Sequence, residues 1–397
     1  MKTVKTTAVV PAPGPVSGPP SDDWRVESVP TPRISARQAI GVFDSGSGGM
    51  VAAAFLARIL ADNRQAASVV FFGDTANLPY GTKEQEVVAG LSDSIIERLS
   101  PLCPVIGIAC NTASAAWAHF GRAGKSGENV RVFSVVRTAA EQAYQRARIG
   151  LDPDMKRRRK TIGVLGTQLT ASIQSHAEQI VELHREALSG AIGHQLPLVP
   201  YTFGSNGILP QLPPELIDYT RTPHMAVIRE DENSPGGTTR AGIRHWEPPA
   251  HLPHDVEIVA RDAQQLVAAV DVIHILDGEG RVKPEYRDRL KDYLRESSRE
   301  LLSRKVTALI LGCTHFEYFE QDFARLMPTL AARNGIVSPS GALACTLLDA
   351  FDDYLRGHPV RPVAAQHANY FGFSGNRPPP EGFKALGMER LTLYDRL

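Results

Sequence analysis

Two cysteines, Cys110 and Cys313, stand in surroundings that suit proton transfer. Cys110 follows Ala109 and precedes Asn111 and Thr112, while Cys313 follows Gly312 and precedes Thr314 and His315. Each is reached through a short apolar run, Val105-Ile106-Gly107-Ile108 in one case and Ala308-Leu309-Ile310-Leu311 in the other. A thiol at a strand end, close to the donors of a helix amino terminus, is expected to titrate below its usual pKa of about 8.5, toward neutrality. One such cysteine reads most simply as a small buried hydrophobe; two in mirrored settings read as a working pair. Cys103 and Cys345 lie among apolar residues and keep the structural reading. The four cysteines are too few for a disulfide scaffold and lack the paired spacing of a structural zinc site, so no metal is expected.

The elements that must position these residues follow from the pattern around them. Ala39-Ile40-Gly41-Val42-Phe43 runs into Asp44-Ser45-Gly46-Ser47-Gly48-Gly49, which predicts a strand, a glycine-rich turn and a helix. Such a turn suits a phosphate or a carboxylate, but both the Walker spacing and the dinucleotide-binding glycine spacing are absent. Ser68-Val69-Val70-Phe71-Phe72 before Gly73-Asp74-Thr75 is a second unit of the same kind. After the basic run Lys156 to Lys160, read as a solvated connection, Thr161-Ile162-Gly163-Val164-Leu165 opens a new series. Runs of this length fit buried parallel strands, and stretches of helical spacing such as Glu86 to Leu99 lie between them. Ile40-Gly41-Val42-Phe43-Asp44 resembles Ile162-Gly163-Val164-Leu165-Gly166, so one plan is used twice. The expectation is an α/β protein: two pseudo-symmetric α/β domains with mainly parallel sheets. Ligands of such sheets bind outside the carboxyl ends of the strands. Asp44, Asp74, Cys110 and Cys313 therefore fall at active edges, and facing edges would put the site at the domain interface.

The whole chain sets outer bounds. With 397 residues, 43 Lys plus Arg and 43 Asp plus Glu, it has no net charge to hold nucleic acid or an anionic membrane. No apolar run of about 18 residues occurs, and the amino terminus lacks the apolar stretch of a signal peptide, which predicts a cytoplasmic protein. Residues 1–35 are rich in proline and read as a disordered tail. A Pro- and Gly-rich stretch at about 195–253 breaks the strand-helix rhythm and reads as an inserted excursion, with His245, His251 and His254 as loop histidines.

Taken together, five motifs are similar to those of glutamate racemase, of the aspartate/glutamate racemase superfamily. They are Phe43-Asp44-Ser45-Gly46 with Gly48-Gly49; Gly73-Asp74-Thr75-Ala76; Pro79-Tyr80-Gly81-Thr82-Lys83; Ala109-Cys110-Asn111-Thr112-Ala113-Ser114; and Leu311-Gly312-Cys313-Thr314-His315. The resemblance implies a racemase without cofactor, in which Cys110 and Cys313 flank the α-carbon, one thiolate removing the proton and the other thiol returning one. It implies Asp44 and His315 as helpers that set the protonation of the nearest thiol. Asp44, Ser45, Tyr80, Gly81, Asn111, Thr112, Thr314 and His315 would bind the amino and carboxylate groups of an acidic amino acid. The implied role is conversion of L-glutamate to D-glutamate for peptidoglycan precursors, and a homodimer is compatible with it. By the same resemblance, 36–135 with 336–397 form the first domain and 136–335 the second. Several positions depart from the family pattern: Val136-Arg137-Thr138 lacks a proline, His176 stands near an expected tyrosine, and Arg261-Asp262-Ala263-Gln264 lacks Cys and Pro. Glu279 is the candidate for an acid assisting the second cysteine. Aspartate or another acidic substrate, and a non-catalytic protein that binds acidic ligands on this scaffold, are the alternatives.

Overall fold

The computed structural model describes residues 38–62, 67–78, 80–121, 130–149, 160–166, 175–188, 243–245, 256–262, 301–358, 369–374 and 392–394, with positions 284, 292, 294, 295, 298 and 299. The Pro-rich tail, most of the 195–253 excursion, His251, His254 and Glu279 lie outside them.

The first half alternates strand and helix as its pattern requires: β1 (Ala39–Asp44), α1 (Met50–Asp62), β2 (Ser68–Gly73), α2 (Gln85–Leu99), β3 (Val105–Ile108), α3 (Asn111–Phe120), β4 (Arg131–Ser134) and α4 (Val135–Ile149). A second series holds β5 (Lys160–Gly166), α5 (Ser175–Leu188), β6 (Ile243–His245), β7 (Val256–Asp262), β8 (Ala308–Gly312), α6 (Glu320–Leu326), α7 (Pro328–Ala332) and β9 (Ile336–Val337). The chain then returns through α8 (Pro339–Gly357) to β10 (Tyr370–Phe373) and β11 (Thr392–Tyr394).

These strands build two sheets. The first has the order β11-β10-β2-β1-β3-β4 and is parallel throughout. The second has the order β6-β7-β5-β8-β9, parallel except for β6, which runs antiparallel to β7. The excursion read as a loop therefore contributes one short edge strand, Ile243–His245. The same plan governs both sheets: an opening strand in the middle, its successor on one side, and the strand that leads to a cysteine on the other. Where a parallel sheet changes its direction of growth, the loops after neighbouring strands part and leave a crevice. Here those points lie between β1 and β3 and between β5 and β8.

Burial explains the strand sequences. All six residues of β1 are buried. Ile40 and Val42 face a core shared with α1 and α8, while Ala39 and Phe43 face α2 and α3, the alternation a strand imposes. In the second sheet, Ile162, Val164, Ala308 and Ile310 pack under α4 and α5. Leu165, Leu309 and Leu311 join the same cluster as Ile40, Phe55 and Phe351. One apolar core thus runs from the first sheet into the second. Among the described residues no helix is long and apolar enough to cross a membrane.

Candidate active site

β1 and β3 carry the first edge. Asp44, the last residue of β1, is buried, and its Oδ1 accepts a hydrogen bond of 2.8 Å from the Gly46 amide. The following turn winds straight into α1, with Met50 N donating to Ser47 O and Val51 N to Gly48 O. Beside it, β3 delivers Cys110 to the N-cap of α3. The Cys110 Sγ accepts from the Ala113 amide at 3.4 Å and donates to Ser45 Oγ at 3.3 Å. Burial, followed by the charge of Asp44, pushes this thiol up to about 12, outweighing the hydrogen bonding with Ser45 and Ala113, which acts to lower it. The expected lowering by the helix amino terminus is therefore overridden at Cys110, because a buried thiolate loses its hydration and faces a carboxylate.

Asn111 and Thr112 follow on the first turn of α3 and are buried. Neither the amide oxygen nor the amide nitrogen of Asn111 has a hydrogen-bond partner among the described residues. Buried amides are normally paired, so Asn111 offers both a donor and an acceptor to a ligand.

A third segment closes this edge. Asp74, buried after β2, accepts from Tyr80 Oη at 2.6 Å, from Asn77 Nδ2 at 3.0 Å and from Ser374 Oγ at 2.6 Å. Tyr80 is thereby held as a phenol, its pKa raised by burial and by the bond to Asp74, with further contributions from Cys110 and Asp44. That coupling brings Tyr80, Cys110, Asp44 and Asp74 into one neighbourhood. Next to Tyr80, a side chain built on Gly81 would meet nothing within 4 Å, so Gly81 borders open space.

β8 carries the second edge. Cys313 begins a tight 3-10 turn over Thr314–Phe319, and the Phe316 amide donates to its carbonyl at 3.0 Å. Its Sγ lies 3.6 Å from His315 Nδ1. Cys313 and Thr314 are buried, and His315 is half-buried. The two edges touch. A Cβ placed on Gly48 would fall 2.2 Å from Thr314 Oγ1 and 3.2 Å from His315 Cε1, so only glycine lets the turn after β1 approach the turn after β8 this closely.

Three features carry no clear sequence signal. Ser374, 300 residues from Asp74, enters through β10. Glu317, fully buried, binds the start of α8. His176 is fully buried at the start of α5, with neither ring nitrogen paired among the described residues. Its Cε1 lies 3.5 Å from where a Cβ on Gly312 would be, and burial pushes its pKa down to about 4. The sequence marks His176 only as a departure from a pattern. Among the described residues no group of three or more His, Cys, Asp or Glu is arranged to hold a metal ion.

Two related, mainly parallel sheets, each with a cysteine after the strand beside its growth-reversal point, define a two-sheet α/β architecture. Comparison with known proteins narrows the class. No family model matches the chain. The glutamate racemase of Chlorobium phaeobacteroides is 32% identical over 175 residues, covering 43% of this chain and 58% of that protein. The glutamate racemase of Corynebacterium glutamicum is 37% identical over 152 residues, covering 37% of this chain and 48% of that protein. The chain thus matches about half the length of these curated relatives. A solved glutamate racemase from Francisella tularensis, in complex with D-glutamate, superposes with a TM-score of 0.55 at 17% identity, covering 91% of this chain and 98% of that one. Over part of its length the chain is similar in sequence to glutamate racemases, and over nearly all of it the fold is similar to theirs.

Proposed function

We propose that this protein interconverts L- and D-glutamate without a cofactor, using Cys110 and Cys313 as the two proton-transfer groups. The observation that carries the reading is the contact of the two cysteine-bearing edges, where the turn after β1 meets Thr314 and His315 at Gly48. In the reaction a thiolate takes the α-proton, breaking the C–H bond and forming S–H. The electron pair passes into the carboxylate-stabilised carbanion, and the opposite thiol then gives its proton to the other face of the α-carbon. The product enantiomer leaves with the two sulfurs in exchanged protonation states.

The two thiols sit in unlike surroundings. Cys110, held high by burial and Asp44, starts as the thiol that donates. Cys313, on the other edge, lies 3.6 Å from His315 Nδ1. A turnover near 10 per second needs a barrier of about 16 kcal/mol, and an α-proton is too weakly acidic for a thiolate alone. Fixed donors around the developing carboxylate charge must supply the remainder. Asn111, with its unpaired amide, and the buried Thr112 and Thr314 suit that task. A D-glutamate product would serve peptidoglycan precursor synthesis.

The test is proton NMR of L-glutamate and, separately, L-aspartate in deuterated water, with purified protein, reductant and no added cofactor. The expected result is loss of the α-proton signal from glutamate, accompanied by racemisation. Loss from aspartate alone would reassign the substrate. Tight binding of glutamate by folded protein without exchange would mean a non-catalytic ligand-binding descendant of the scaffold.

A further inference from the structure

We propose that Glu317 is a positioning residue, tying the turn that carries Cys313 to the crossover by which the chain passes from the second sheet back to the first. The inference rests on the racemase reading for its substrate and deepens it by naming what holds the second cysteine in register.

The geometry is local and complete. Glu317 lies four residues after Cys313 within the same 3-10 turn and is fully buried. Its two carboxylate oxygens accept from the Ser340 amide at 3.0 and 3.1 Å, and Oε2 also accepts from Ser338 Oγ. Ser338 Oγ in turn accepts from the Gly341 amide at 3.3 Å and so caps α8. The segment being held is the joint of the molecule. β9 ends at Val337 in the second sheet, and α8 starts at Pro339 and packs on α1, α4 and β3.

Packing alone does not call for an acid here. Phe316 and Phe319, both buried on the same turn, already fix how deeply it sits. Burying a carboxyl group is costly, and burial raises that of Glu317 to about 8, against its hydrogen-bond donors. What the carboxyl adds is direction, because hydrogen bonds to fixed amides orient where apolar contacts do not. Any shift of α8 is passed to the turn, and with it to the Cys313 and His315 pair. Misplacement of a reacting group by about 1 Å can cost on the order of 100-fold in rate.

The experiment compares Glu317→Ala and Glu317→Gln with the wild type, all as the full chain, with folding checked by circular dichroism. It measures kcat and KM for both enantiomers of glutamate, and the iodoacetamide alkylation rate of each cysteine by mass spectrometry. Glu317→Ala should lower kcat by roughly 10- to 100-fold with KM within about threefold. It should alter the alkylation rate of Cys313 and leave that of Cys110 unchanged. Glu317→Gln keeps an acceptor for the Ser340 amide and should recover most of kcat. Unchanged kcat in Glu317→Ala, equal changes at both cysteines, or a Gln variant as impaired as the Ala variant would each overturn the proposal. If Glu317→Ala does not fold, Ser338→Ala takes its place, with the same selective effect on Cys313 expected and its absence overturning the coupling. Wild-type protein that fails to racemise glutamate, alongside a selective change at Cys313 in the variants, would sink the functional reading and leave the coupling standing.

Discussion

The two cysteines begin from unlike surroundings, and that asymmetry sets what their replacement should do. In the proposed mechanism, Ser at position 110 leaves Cys313 able to take a proton from the face it meets, with no thiol opposite. Cys110→Ser should therefore lower racemisation by about 100- to 10,000-fold, the usual range for losing an acid-base group. Deuterium exchange should persist for one enantiomer and vanish for the other; undiminished racemisation would end the two-thiol assignment. A second outcome follows from the Cys110 thiol lying near 12. Enantiomers are equal in free energy, so kcat/KM must be the same in both directions at every pH. In the proposed mechanism loss of the donor proton from Cys110 sets an alkaline fall, which its raised pKa moves well above the range of an ordinary thiol. After allowance for titration of the substrate's own α-ammonium group, the profile of kcat/KM should show no decline assignable to an ordinary thiol at about 8.5, and a residual decline centred there would overturn this reading of Cys110. Asn111 and Thr112 were legible because they sit next to the cysteine in sequence. The direction of its pKa shift was not, since burial and the approach of Asp44 exist only once β1 and β3 lie side by side.

At the scale of elements, the most restrictive contact is between the glycine turn and the turn after β8. Replacing Gly48 with Ala puts a methyl group 2.2 Å from Thr314 Oγ1, and either Thr314 must rotate or the two turns must separate. Gly48→Ala is expected to lower kcat by roughly tenfold or more, with circular dichroism and melting close to wild type. Full activity would mean that the contact is not needed for turnover. Strand, turn and helix were readable here from composition alone, through apolar runs that end in glycine and hydroxyl residues. The clamp on Asp74 was not readable, because Ser374 lies 300 residues away and nothing in Tyr370-Phe371-Gly372-Phe373 announces a hydrogen bond. The link from Glu317 to Ser340 was equally silent, since a lone acid within Thr314–Phe319 reads as an exposed turn residue until the helix start appears beside it.

At the scale of the molecule, the repeated plan was the most legible feature, because two apolar series of like order predict two like sheets. The short edge strand β6 was not, having only three residues within a Pro- and Gly-rich stretch. The first sheet gathers strands from both ends of the described chain, with β10 inserted between β2 and β11. Phe371 and Phe373 both pack against Phe71 with tilted rings, their centroids 5.5 and 5.8 Å from that of Phe71. Burying a large apolar side chain contributes about 1.5–3 kcal/mol, so Tyr370, Phe371 and Phe373 together approach the whole stability of a typical domain, roughly 5–15 kcal/mol. A chain ending at His367 should therefore fail to fold or melt at least about 10 °C lower. A melting curve matching wild type would show that β10 is dispensable.

The position of β10 also orders events during synthesis. Tyr80 is steadied by Asp74, and Asp74 in part by Ser374. At about 5–20 residues per second, a ribosome needs on the order of 15–60 s to travel from Asp74 to Ser374. Throughout that interval the flank of β2 that will receive β10 is an open sheet edge able to pair with other chains. The hydrogen bond that completes the Asp74 cluster is thus withheld until Ser374 has been made, and until then the exposed edge of β2 is a surface on which a chaperone would act.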